Sequence, residues 1–160
     1  MTKWTLHTDG ACQPNPGAGG WAFILRNGKT EVARRGIAPR TTNNRMEIQA
    51  VIEGLRYFIL EIGVEDNALT LFSDSTYLVQ GITEWCDKWA SKGWVKQDEN
   101  PVLNQRFWKE LRILKNLINL KCLHVKGHSG DEMNERVDAL AVDAAFRAKG
   151  FYGEAEIRHE

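Results

Sequence analysis

Cysteine is scarce in this chain, net charge is absent, and no long apolar run occurs. The three cysteines, Cys12, Cys86 and Cys122, are scattered, with no CxxC or Cys/His spacing, which excludes a zinc-binding pattern and a disulfide framework. Lys plus Arg and Asp plus Glu both count 21 in 160 residues, so the formal net charge is zero. Composition therefore offers no basic footprint for a nucleic acid, and any such claim must rest on particular residues. No stretch approaches membrane-span length, and "MTKWTLHTDG" lacks the apolar core of a signal peptide. A cytoplasmic setting is expected. Internal repeats and Pro/Ser-rich linkers are missing too, so residues 1–160 read as one domain, with nothing in the pattern that asks for a second copy.

What is present is a change of period along the chain. "WTLHTD" alternates and reads as a strand ending at Asp9. After the Gly/Pro-rich "CQPNPGAGG", "WAFILR" and "KTEVARRGI" flank Asn27-Gly28, a strong hairpin signal. Three antiparallel strands are expected. From about Asn43 the spacing turns helical, with Ala50, Val51, Gly54, Leu55 and Phe58 on one face. "ALTLFSD" predicts a fourth strand, "STYLVQGITEW" a helix, "NPVLNQRFWKELRILKNL" another and "KCLHVKG" a fifth strand. "MNERVDALAVDAAFRAKG" predicts a last helix that Gly150 ends. The order implies an α/β fold: a five-stranded mixed sheet, three antiparallel strands followed by two parallel ones, flanked by helices.

Four acids stand where surface acids do not usually stand. Asp9 and Asp74 end apolar strands, the edge where α/β sheets place ligands. Glu47 precedes Ala50 and Val51 on the core-facing stripe of its helix, and Asp138 borders the stripe of Ala141, Val142 and Ala145. An acid at such a position is expensive unless compensated. If the four converge, a divalent cation with oxygen ligands is the natural partner, Mg²⁺ or Mn²⁺. Two such ions suit a phosphodiester displacement. His128, in "KGHSGD" between a strand and the Asp138 helix, is placed to move a proton beside such a site. His7 and His124 lie inside strands and read as structural.

"TDGACQPNPGAGG", "TTNNRMEIQA", "FSDSTYLVQGI" and "VKGHSGDEMNERVDALA" together resemble bacterial type 1 ribonuclease H, from about Thr5 to Lys149. The resemblance implies hydrolysis of the RNA strand of RNA/DNA hybrids with Mg²⁺, leaving 5′-phosphate and 3′-hydroxyl ends. It puts the family's metal-ligand carboxylates on Asp9, Glu47, Asp74 and Asp138, and its catalytic histidine on His128. It also implies minor-groove contacts by Asn15, Asn43 and Asn44, and docking of RNA 2′-hydroxyls on the backbone of Gly10 and Cys12, the feature that tells RNA from DNA. Arg40, Thr42 and Asn104 match a pocket for a phosphate of the DNA strand. Thr76 stands where the family usually has Gln or Asn.

Residues 85–104 match the family's substrate-binding handle, and 151–160 read as a C-terminal tail. Trp85 and Trp89, four apart on one helical face, are implied contacts for DNA sugars and phosphates, while Trp94 reads as a loop anchor. The handle's charges cancel along the sequence, Lys88, Lys92 and Lys96 against Asp87, Asp98 and Glu99. The resemblance implies that most of the family's positive charge is missing there, since the loop runs Ala90, Ser91, Lys92, then Glu99, Asn100 and Leu103. Two rival functions follow from the same residues: a duplex-binding module that does not cut, and another two-metal nuclease on the same fold. The four acids speak against the first, and the "TTNNRME" block against the second.

Overall fold

The computed structural model describes residues 1–127 and 130–158, with side chains described as far as Tyr152. Strands β1 (Thr2–Cys12), β2 (Gly17–Arg26) and β3 (Glu31–Thr41) form an antiparallel meander. β4 (Asn67–Ser73) and β5 (Leu120–His124) add in parallel to the other side of β1, giving the order β3-β2-β1-β4-β5. The β2–β3 hairpin expected at Asn27-Gly28 forms, with a connection of Asn27 to Thr30. Asn27 Oδ1 accepts 2.8 Å hydrogen bonds from the backbone N–H of both Lys29 and Thr30, an Asx turn that fixes the loop.

Helix α1 (Asn43–Tyr57) starts where Thr42 Oγ1 accepts from the Arg45 N–H at 3.2 Å, and it ends in a π-helical turn, Phe58–Ile62. The second helical region is one rod in three pieces: α2 (Thr76–Gln80), a π-helical turn (Gly81–Trp85) and α3 (Cys86–Ser91). Ser75 caps it by accepting from Leu78 N–H. α4 covers Gln105–Lys115. α5 covers Glu132–Arg158, so Gly150 does not end it. A single interior glycine weakens a helix by only about 1 kcal/mol, and "FYGEAEIR" beyond it carries helix formers that outweigh that loss. Among the described residues no helix is long and apolar enough to cross a membrane.

The sheet is covered on both faces. On one, Leu6, Phe23, Leu25 and Leu71 pack with Ile52 and Leu55 of α1 and with Trp108 of α4, all essentially inaccessible. Burial of the large Trp108 indole is satisfied chemically as well, since its Nε1–H donates to Tyr77 Oη at 3.0 Å. The other face pairs Ala22 and Ile24 of β2 with Met133, Val137 and Ala141 of α5. α5 approaches so closely that a Cβ at Gly20 would meet the Ala144 and Ala145 backbone. This contact fixes where the Asp138 end of α5 lies over the sheet.

Candidate active site

β1 does not stop at Asp9 but continues to Cys12, because the strand has two partners that end at different places. Its parallel ladder with β4 ends at His7↔Phe72, while the antiparallel ladder with β2 continues through Asp9↔Ala22 to Cys12↔Gly19. Asp9 therefore lies just beyond the parallel pairing, and Asp74 immediately follows β4, so the sheet sets these two acids side by side. Glu47 reaches them from the first turns of α1. Gly10 makes the approach possible, since any Cβ there would collide with the backbone of Met46 and Glu47.

Ligand atoms of Asp9, Glu47 and Asp74 all lie within 4.8 Å of one another. Asp138 lines the same cavity, of about 490 Å³, and from α5 comes near enough to Asp9 to raise its proton affinity. Two unscreened charges at 4.8 Å repel by about 3 kcal/mol at an effective dielectric of 20. The proton affinities follow. Burial first, then the Asp74 charge and the nearby Asp138, push Asp9 up to about 7, against an ordinary 3.8. Burial and the Asp9 charge hold Glu47 well above the usual carboxylate range. Glu47 Oε2 is buried with no hydrogen-bond partner among the described residues. An orphaned carboxylate oxygen in a nest of acids fits a divalent cation with oxygen ligands.

Neighbouring residues hold this cluster in place. Asp9 Oδ1 accepts from the Gly10 N–H at 2.9 Å. Asn134 Nδ2 donates to Asp74 Oδ2 at 3.4 Å, and its own N–H donates to Asp131 Oδ1 at 2.9 Å. Asn134 escaped the sequence reading, although it sits one turn before Asp138 on the same helical face. The two strand histidines remain structural. His7 is buried and stacked on Phe72 at 5.0 Å, and its pKa is lowered to about 4 by burial and then by Arg26. His124 Nε2 lies 3.2 Å from the Asp74 carbonyl oxygen. His128 lies outside the described residues.

The expected substrate contacts are spread over the surface around the acids. Gly10, Cys12 and Asn43 line the carboxylate cavity. The Cys12 thiol itself is buried and donates toward the Pro14, Gly17 and Thr41 carbonyls, which leaves only its backbone for a ligand. Asn15 Oδ1 accepts from the Asn43 N–H at 3.2 Å, so the turn and the start of α1 are joined, with Asn44 next along the exposed end of the helix. Thr42 and Asn104 meet through Arg45, whose backbone N–H donates to Thr42 Oγ1 and whose Nε donates to Asn104 Oδ1 at 3.0 Å. Arg40 lines a neighbouring groove with Lys149 and Tyr152. Arg45 was missed, yet it carried a signal: a cation in the first turn of a helix opposes the helix dipole and so calls for a partner. Thr76 is the exposed first residue of α2.

The handle is a separate groove of about 570 Å³, lined by Trp85 and Trp89 together with Lys88, Lys92 and Lys96. Both indoles are half-buried. Trp85 leans on Tyr77 at 6.2 Å, and Trp89 meets the edge of Trp108 at 5.7 Å. They therefore pack the handle onto the body while still lining the groove. Trp94 anchors the loop, donating its N–H to Trp89 O at 2.7 Å and accepting from Val102 N at 3.0 Å. The cancellation of charge seen in the sequence does not hold in space. Asp87 turns away to pair with Arg112 and Lys115 of α4, leaving the three lysines on the groove with Asp98 as their only acidic neighbour among its described lining residues.

The profile of the RNase H family matches residues 1–146. A ribonuclease H of Erythrobacter litoralis is 47% identical over 146 residues, covering 91% of this chain and 97% of that one. Among solved structures, LC9-RNase H1, a type 1 RNase H with the type 2 active-site motif, superposes with a TM-score of 0.80 at 29% identity, over 92% of this chain and 74% of that chain. LC11-RNase H1, solved in complex with an RNA/DNA hybrid, shares the fold with a TM-score of 0.68 at 22% identity, over 91% and 98% of the two chains. With a half-buried group of carboxylates able to hold a metal at the end of its β1–β4 pair, the chain belongs to the RNase H family.

Proposed function

We propose that this protein hydrolyses the RNA strand of RNA/DNA hybrids in a metal-dependent reaction that leaves 5′-phosphate and 3′-hydroxyl ends. The observation that carries the reading is the group of Asp9, Glu47 and Asp74, three carboxylates within 4.8 Å, of which Asp9 and Glu47 hold their protons tightly through burial and their neighbours' charge. With Asp138 they would hold two Mg²⁺ ions, or Mn²⁺ in their place. When bound, such ions supply the charge that stabilises the attacking and departing oxygens of the phosphodiester.

The chain's own residues do the remaining work. The backbone of Gly10 and Cys12 offers groups for the 2′-hydroxyls of the strand to be cut, which selects RNA over DNA. Asn15, Asn43 and Asn44, tied together at the start of α1, read the minor groove. Thr76, shorter than the amide usual at its place, leaves room for water there. Thr42, Asn104 and Arg40 hold a phosphate of the DNA strand, with Arg45 bracing the first two, and Trp85 and Trp89 support that strand further along. Asn134 and the Gly10 N–H keep the acids in register, so that the carboxylates need no rearrangement to take a charge. His128 moves a proton at the departing group. We take the acting species to be a cytoplasmic monomer.

Cleavage of labelled RNA/DNA hybrid, double-stranded RNA and double-stranded DNA, with Mg²⁺ or with EDTA, tests the proposal. Only the RNA of the hybrid should be cut, only with metal, and every new 5′ end should carry phosphate. Cutting of duplex DNA, or cutting in EDTA, would refute it.

A further inference from the structure

One face of α5 has a composition that four crowded acids do not explain. Asp138, Val142, Phe146 and Lys149 stand at i, i+4, i+8 and i+11, a single stripe along about 16 Å of helix. All four line the carboxylate cavity. Val142 is 52% exposed and Phe146 76%, so neither is held there by packing. Lys149 is exposed and has no ion pair among the described residues. Lys149 also lines the adjoining groove of about 480 Å³, which links the two spaces.

An exposed aromatic ring and an exposed ammonium beside a nest of carboxylates match a nucleotide chain better than an isolated phosphate. The scissile phosphate would be served by the acids and the cations they would hold. The next phosphate along the strand is beyond their reach and needs a cation from the protein, and the ribose between them presents C–H faces to an apolar wall. We propose that Val142, Phe146 and Lys149 form a wall that binds the RNA strand adjacent to the scissile phosphate, Lys149 on a phosphate and Phe146 against a ribose or base. The wall rests on the hybrid-cutting function proposed above. The occupant is the strand being cut, since the stripe starts at Asp138 and opens into the cavity of Asp9 and Asp74. The rival occupant is the DNA strand, because Arg40 lines the groove that Lys149 adjoins.

Lys149→Ala and Phe146→Ala, both at exposed positions, test the wall with hybrids extended on one strand at a time past the cleavage site. Each phosphate contact contributes about 0.9 to the log–log salt slope for B-form DNA and about 0.7 for single strands. Lys149→Ala should lower the slope of KM against salt by about 0.7 to 0.9 on RNA-extended hybrids, with Lys149→Arg restoring it. Phe146→Ala should raise KM about fivefold, the low end for one aromatic–nucleotide contact. Both should raise KM more than they lower kcat, and the losses should vanish when the RNA extension is removed. An unchanged slope and KM on RNA-extended hybrids, or a loss that follows the DNA extension, would overturn the proposal. If the unaltered protein does not cut hybrids at all, it is the function that fails, and direct binding of the same extended duplexes to both variants then judges the wall by itself.

Discussion

Asp9→Asn should abolish cutting and, in the absence of metal, make the protein more stable. Asp9 holds its proton up to a pH of about 7 in the folded protein and only to about 3.8 in an unstructured chain. Between those values the folded state carries a proton that the unfolded state has lost, so stability falls as pH rises through the window. The difference is 7 − 3.8, close to 3 pH units, and at 1.36 kcal/mol per unit the full loss is about 4 kcal/mol by pH 8. Asp9 and Glu47 share hydrogen bonds and titrate together, so the figure belongs to the pair. An amide at Asp9 removes one charge and relieves Glu47 as well, and we expect a gain of about 2–4 kcal/mol at pH 8 in EDTA. At pH 4 the carboxyl is already neutral and the gain should shrink toward zero. Urea unfolding followed by circular dichroism at both pH values, with EDTA or with Mg²⁺, measures it. Added Mg²⁺ should raise the stability of the unaltered protein at pH 8 far more than that of the variant. No gain at pH 8 in EDTA, or an equal gain at pH 4, would refute the electrostatic account of the site.

Two further perturbations test the body and the handle. Gly81→Ala would drive a methyl group into the ring of Trp108, and overpacking of this kind should cost about 1–3 kcal/mol despite the better helix propensity of Ala, read as a lower urea midpoint at unchanged m. Lys88→Ala combined with Lys92→Ala should lower the log–log salt slope of hybrid binding by about 1.5 to 2, since both line the handle groove without an acidic partner among the described residues. An unchanged slope would mean that the handle works through its indoles alone.

Much of this site was legible because it lies where period and chemistry disagree. Asp9, Asp74, Glu47 and Asp138 each interrupt an apolar pattern, and the interruption survives into the fold as a shared cavity. The strands were legible for a similar reason, with one correction: β1 passes Asp9, since its two edges lose their partners at different residues. The π-helical turns at Phe58–Ile62 and Gly81–Trp85 left no trace in the spacing. Each widens the helix by one residue, and at Gly81 the Trp108 ring lies against the turn, a neighbour that periodicity cannot report. The balance of charge along the handle does not carry over to the groove, because Asp87 faces α4 while Lys88 and Lys92 face the groove, and a sum along the chain cannot report facing. Gly150 has the residue type of a helix stop, yet the residues that follow it continue the helix.

The parallel pairing of β1 with β4 makes the sheet a calliper. Neighbouring strands stand about 4.8 Å apart because backbone hydrogen bonds hold them there, whatever the side chains are. Asp9 and Asp74 are mounted on the two jaws just past the last rung, so the gap between them is a property of the peptide ladder. A ligand that prefers a wider gap must stretch main-chain bonds to obtain it, and one that fits finds the gap already set. Selectivity among cations of different radius would then rest with the backbone, and substitutions in the Leu6–Leu71 layer that leave the ladder intact should leave the ion preference unchanged.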